Sequence, residues 1–522
     1  MLSALFSASI ACTLALQSAQ TATAQSVKGN STKVTLPPAP PRSSEPTAAP
    51  GIWAATWSSV PGGLRFVTPM VWLRDVRSGF ENFGNTGGQV LPVDRVAQEL
   101  RQAPKGRRAL HLWYYRDGLL TDPSDKVPQL ASGVRTPWPT NAETRIRTQW
   151  TNALAALATA GAKPEVIILD NEEPGHLTNW HLTSAQISIL MDDARFNDAL
   201  LMSTTSSVSS VVKPYIGATY AGPQSGAGYL AWNLVIQSIA NQAIDRAIWQ
   251  PARARFPDIK GSNYQGSKIS VGEASSDFNG HAQPLNNRFG TASAPALYGL
   301  LDGAARYCSI DPSDRTRLRL GAGGTPIGKS AWLAFLMDVQ VGRSVRRSDA
   351  TPMHPWIASP SWRGDTEGTA CYKMDARYYD EMVRHIALLR TETFMLWNPP
   401  ELVNGVETTI SRDRRHAEGR ALDAVLADIN RRLNDKIAEP LDASRLAWDA
   451  RIVATGAKVG TNAYLWRVTA KPEVRSFQVG SGGPIVQIPA GAVGAWITSA
   501  RPELPALRAI GGENTAIASV SP

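Results

Sequence analysis

Cysteine is almost missing from this chain: 522 residues hold three, Cys12, Cys308 and Cys371. Cys12 falls in an apolar N-terminal stretch, so Cys308 and Cys371 remain as an even pair, able to form one disulfide in an oxidising compartment or to stay as two buried thiols. The seven histidines show no His-Glu-x-x-His spacing and no paired cysteines accompany them, so zinc is not expected. Gly-x-Ser-x-Gly is absent, which weakens a serine esterase. No glycine-rich turn follows the first strand pattern, which lowers a Rossmann reading. Past the leader no apolar run approaches the roughly 20 residues of a membrane span, so a soluble mature protein without a transmembrane segment is expected. Net charge is +9, but beyond Arg343–Arg347 and Arg412–Arg415 the basic residues are scattered. Without a basic tail or zinc-finger spacing, no nucleic-acid partner is expected.

What is present begins with a leader. Residues 2–16 are apolar, and Ala22-Thr23-Ala24 follows like a signal-peptidase site, so residues 1–24 read as a signal peptide and the protein as secreted or periplasmic. The absence of Lys or Arg before the apolar run weakens that leader pattern; for a lipid anchor on Cys12, Ser9 stands where a lipoprotein signal usually has Leu. Residues 25–52, with Pro37, Pro38, Pro40, Pro41 and Pro46, read as a Pro-rich disordered linker.

From 53 to 400 short apolar strands alternate with helical patterns, the mark of a parallel α/β architecture. Strands are expected at 66–73, 109–115, 166–170, 259–264, 354–358 and 393–397, and helices at 143–160, 184–195, 230–255, 330–341 and 375–390. Six strands, with two more unrecognised, suit a (β/α)8 TIM-like barrel with inserted loops better than an open sheet. Residues 401–439 then form a connecting amphipathic helix through Leu422, Val425, Leu426, Ile429 and Leu433. Residues 440–522 read as a small all-β domain: Tyr464, Trp466 and Val468 alternate with positions expected to be exposed, and 477–479 and 485–488 flank a glycine-rich turn as a hairpin.

Chemistry is expected after the strand Val166-Ile167-Ile168-Leu169, where Asp170-Asn171-Glu172-Glu173-Pro174 follows. In parallel sheets and barrels, ligands bind beyond the carboxyl ends of strands. Side chains alternate along a strand, so Asp170 and Glu172 share one face. Burial and a neighbouring negative charge raise a carboxyl pKa, letting such a pair hold a proton near neutral pH. The same carboxylates could instead cap a following helix or pair with arginines. With Glu173 and His176 nearby, they could also hold Ca²⁺ or Mg²⁺. Aromatic residues, Trp113 and Tyr115 with Asp117 beside them, Tyr264, Trp356 and Trp397, are expected at strand ends as a saccharide floor.

Asp170-x-Glu172 resembles the Asp-x-Glu that closes the fourth barrel strand of chitinase-type and hyaluronidase-type glycoside hydrolases. The resemblance implies Glu172 as proton donor and Asp170 as the partner that orients the substrate's acetamido group, with Tyr264 near the reacting centre. Asn171-Glu172-Glu173-Pro174 also resembles an interrupted Asn-Glu-Pro of retaining barrel glycosidases. That mechanism needs a second carboxylate roughly 5 Å away, and the late strands offer none before Glu401. Gly323–Ser330 fits the phosphate-loop pattern, but the charged alternation of 315–320 is unlike the buried strand such a loop follows, and a glycine-rich loop at a helix start is the plainer reading. The expectation is therefore an exported glycoside hydrolase acting on a polysaccharide or glycoconjugate, without cofactor or resident metal. The alternative is a non-catalytic carbohydrate-binding or surface protein on a degenerate barrel.

Overall fold

The computed structural model describes residues 51–56, 70–72, 80–82, 90–91, 93–113, 141–169, 244–263, 265–266, 292–297, 332, 335–336, 338–340, 342–343, 352–358, 376–397, 402–403, 406–441 and 451–510. The early strands are β1 (Trp53–Thr56), β2 (Met70–Trp72), β3 (Phe80–Asn82), β4 (Val90–Leu91), β5 (Ala109–Trp113) and β6 (Val166–Leu169). They are followed by β7 (Lys260–Asn263), β8 (Gln265–Gly266), β9 (Pro295–Leu297), β10 (Trp356–Ala358) and β11 (Thr393–Trp397). Five helices are named here: α1 (Val93–Gln102), α2 (Asn141–Thr159), α3 (Gln250–Arg255), α4 (Ala376–Ala387) and α5 (Thr409–Arg432).

Two sheets carry the parallel strands. In one, β2, β5, β6 and β7 pair in chain order, with β3 and β4 added antiparallel beyond β2. In the other, β8, β9, β10 and β11 pair in chain order and β11 pairs with β1. One residue separates β7 from β8, so chain continuity joins the two sheets. Their inner faces form one apolar cluster: Trp53 and Ala55 of β1, Trp356 of β10 and Met395 of β11 meet Ala109 of β5 and Val166 and Ile168 of β6. The odd residues of β5 and the even residues of β6 thus point inward, while Ile167 and Leu169 are buried on the outer face. A strand wet on neither face explains why its sequence is continuously apolar.

Helices cover the outside. At the end of α2, Gly161 takes φ +71°, and the amide of Ala162 reaches back to the carbonyl of Leu157 at 2.9 Å, a left-handed turn that only glycine adopts at no steric cost. The single helix expected to run to Arg255 is, among the described residues, a π-helical turn over Asp245–Trp249 that passes into α3. Pro251 lacks an amide hydrogen, and this widened turn stands just ahead of it. Trp249 of that turn lies against β7 where Gly261 has no side chain; a Cβ there would fall 2.3 Å from the indole. The late helix starts on Thr408, whose hydroxyl accepts from the amide of Ser411 at 3.1 Å. Near its end Asn430 clasps β1, accepting from the Ile52 amide and donating to the Ile52 carbonyl, both at 2.8 Å.

The chain finishes in antiparallel strands: after the short hairpin β12 (Leu402–Val403) and β13 (Val406–Glu407) come β14 (Glu439–Pro440), β15 (Ile452–Gly460), β16 (Ala463–Ala470), β17 (Ser476–Val479), β18 (Ile485–Gln487), β19 (Gly494–Ser499) and β20 (Leu507–Ile510). They form a β14-β15-β16-β19 sheet and a β18-β17-β20 sheet. The expected hairpin is β17 with β18. One expectation is corrected: the residues alternating with Tyr464, Trp466 and Val468 are buried, not exposed. Trp466 and Val468 face the second sheet, while Leu465 joins the core built on Ile386 of α4, Leu426 and Ile429 of α5 and Ala54 of β1. Both faces of this sheet are covered, so alternation gives no solvent side.

Candidate functional site

The interior enclosed by the parallel strands is the candidate site region. Among the described residues it is largely apolar, with His111 of β5, which is 1 % exposed, edge-on to Trp356 with ring centroids 5.0 Å apart. His111 pairs in register with Ile168, one step below the end of β6. The inward row of β5 therefore runs Ala109, His111 and then position 113. Sequence reasoning missed this histidine, although the two-residue alternation leading to Trp113 would have found it.

A polar group runs from this level, where Ser262 of β7 also pairs with Ile168, down to the strands' N-terminal ends. Ser262 Oγ is 3.2 Å from His354 Nδ1, and His354 Nε2 is 3.4 Å from Glu392 Oε2. Lys260 Nζ donates to both Glu392 oxygens at 2.7 and 2.8 Å. Burial pushes the Glu392 carboxyl up, but the hydrogen bonds and charges of His354 and Lys260 outweigh it and bring the pKa down to about 2. Serine, histidine and carboxylate in series suggest nucleophilic catalysis, yet Ser262 and His354 are completely buried, and Lys260, His354 and Glu392 stand at or before the starts of their strands, opposite the end where ligands enter such sheets. Its chemistry is structural. A second N-terminal carboxylate, Glu165 before β6, is likewise occupied, accepting from the amides of Gly106 and Arg108 at 2.7 and 3.0 Å.

Asp170, Glu172, Tyr115, Asp117 and Tyr264 lie outside the described residues, as do Cys308, Cys371, His176 and the Gly323–Ser330 loop. Trp113 and Trp397 are the last residues of β5 and β11. Trp356 does not end its strand, as expected from the sequence, but begins it: it pairs with Met395, two residues short of Trp397, and is 1 % exposed. The run before it already pairs with the β11 side, since the Pro355 carbonyl accepts from the Met395 amide at 2.8 Å and Met353 bridges to Thr391. Among the described residues no group of three His, Cys, Asp or Glu side chains is placed to hold a metal ion. No helix among them is long and apolar enough to cross a membrane.

No family model matches the chain, and no curated protein matches it in sequence. Its structure is loosely similar to that of an endo-β1,6-glucanase, with 9% identity over 87% of this chain and 91% of that one and a TM-score of 0.41. It is similar to the glycoside hydrolase domain of PgaB from Bordetella bronchiseptica, with 12% identity, 73% and 99% coverage and a TM-score of 0.33. A third likeness is to a glycoside hydrolase family 30 subfamily 8 xylanase from Clostridium acetobutylicum, with 10% identity, 87% and 94% coverage and a TM-score of 0.30.

Proposed function

We propose that the chain is an exported glycoside hydrolase on a closed (β/α)8 barrel, with Glu172 as general acid and Asp170 as its partner. The observation that carries this reading is the parity of β6: Val166 and Ile168 face the shared interior, and the same alternation carried onward assigns positions 170 and 172 to that side. In this reading Glu172 protonates the oxygen of the leaving sugar as the glycosidic bond breaks. Asp170 raises its partner's proton affinity before that step and orients the attacking group. Trp113 and Trp397 at the ends of β5 and β11, with Tyr115, Asp117 and Tyr264, form the saccharide floor, and Trp356 supports it from beneath. The other carboxylates near the strands support a one-sided mechanism, because Glu392 and Glu165 are held at the opposite end by hydrogen bonds of their own.

A glycan array run beside a reducing-sugar assay tests the reading. Release of reducing ends from a glycan that the array shows to be bound is the expected result. Binding to glycans with no release from any of them would contradict it and favour the carbohydrate-binding alternative.

A further inference from the structure

Helix α4 and the C-terminal sheet meet across a buried chain of hydrogen bonds centred on His385. Its ends fix its direction. Arg343 can only donate, and its Nη2 gives hydrogens to Thr455 Oγ1 at 2.8 Å and to the Ala454 carbonyl at 2.6 Å. The Glu381 carboxylate can only accept, and it takes the Thr469 hydroxyl hydrogen at 2.5 Å. Between them, His385 Nδ1 lies 2.7 Å from Thr455 Oγ1 and Nε2 lies 3.0 Å from Thr469 Oγ1. Since Thr469 donates to Glu381, it accepts from Nε2–H. Nδ1 is then the acceptor for Thr455. Only the neutral Nε2–H tautomer satisfies the whole chain.

We propose that this chain is an acid-sensitive latch: the uncharged imidazole ties β15 and β16 to α4, and proton uptake at Nδ1 opens the seam. A proton on Nδ1 turns it into a donor facing the Thr455 hydrogen. Thr455, itself completely buried, must then rotate away and lose its acceptor, at the cost of an unpaired buried hydroxyl. The charged groups around the ring oppose the cation. Arg384 lies on α4 itself, Arg343 on the 332–343 segment and Arg467 on β16; together with burial, the largest factor, they hold the imidazole well below its usual pKa. Glu381 does not offset them, because Arg467 grips both of its oxygens and Arg384 donates to one at 3.0 Å. The Phe335 ring closes another side edge-on at 5.3 Å. Asp380, next to Glu381 on α4, is pushed up to about 6 chiefly by burial, so its titration falls in the same range with opposite sign.

Asp380→Asn removes that opposition and lets local exchange read the imidazole alone. If the open seam restores the ordinary histidine value of 6.5, the opening equilibrium of Asp380→Asn rises about tenfold between about pH 7.5 and about pH 5.5. Hydrogen exchange of the full-length Asp380→Asn chain, corrected for intrinsic rates, should show that about tenfold loss of protection in β15, β16 and α4, and none in β6. With His385→Gln added, whose amide stays uncharged, the change should fall below about twofold; His385→Asn serves the same purpose if that variant does not fold. An Asp380→Asn seam with unchanged protection, an equal loss in β6, or an unaltered tenfold step with His385→Gln added would each overturn the latch.

Discussion

His354 and His385 are both completely buried, and the chain accommodates them by opposite means. His354 faces a carboxylate, Glu392, that Lys260 holds in its charged form. His385 faces two hydroxyls and is ringed by arginines. The first cluster joins β7 to the residues just before β10 and β11. The second joins a helix to strands about 70 to 84 residues further along the chain. Where neighbours are fixed by the strand ladder, an ion pair at a partly wet edge suffices. Where an added sheet is docked, both ring nitrogens of a buried imidazole are matched to hydroxyls.

The comparison breaks most sharply on the buried ion pair. Replacing Glu381 with Ala strands the Arg467 charge at 6 % side-chain exposure, which should cost about 3–5 kcal/mol in urea unfolding; Lys260→Ala, at 47 % exposure, should cost at most about 1 kcal/mol. Equal losses would erase the distinction. Next come two glycines, one beside each cluster. A Cβ on Gly494 would sit 2.6 Å from Glu381 Oε2 and 2.7 Å from the Val468 carbonyl, and one on Gly261 2.3 Å from the Trp249 ring. Gly→Ala at either should cost about 1–3 kcal/mol by denaturant titration.

Smaller, but more diagnostic, is the pH range in which each cluster acts. The His385 pKa is lowered on folding, so its contribution is present above the ordinary value of 6.5 and lost as pH falls below it. Glu392 is brought down from 4.5 to about 2, so its contribution is present above about pH 4.5 and lost only as pH approaches 2. Asp380, raised from 3.8 to about 6, contributes below 3.8 and loses that contribution as pH rises through 6. Glu392→Gln should therefore flatten the acid limb of a stability-versus-pH curve below about pH 4.5 and leave the higher range unchanged.

The same contrast explains what the sequence could disclose. Thr393–Trp397 was legible residue for residue because five apolar or β-branched residues in a row have few other uses. Leu422, Val425, Leu426 and Ile429 were legible by helical spacing, and all are buried. Strands β1 and β9 were not recognised: Trp-Ala-Ala-Thr and Pro-Ala-Leu are too short and too small for periodicity to register. Arg467 and Thr469 read as surface residues because the partner that buries them, Glu381, lies 86 and 88 positions away. Long-range satisfaction of this kind leaves no local trace. Of the candidate site, the strand that leads to it, β6, was legible from its composition, whereas the occupied state of Glu392 depends on Lys260, 132 positions distant.

The occupied carboxylates return attention to the run after β6 as the place for acid catalysis. Glu172→Gln keeps the side chain's shape and removes the proton, so kcat for reducing-end release from a cleaved glycan should fall by about a hundredfold or more, with the binding constant for that glycan held within about threefold of wild type. Wild-type kcat in Glu172→Gln would contradict the account.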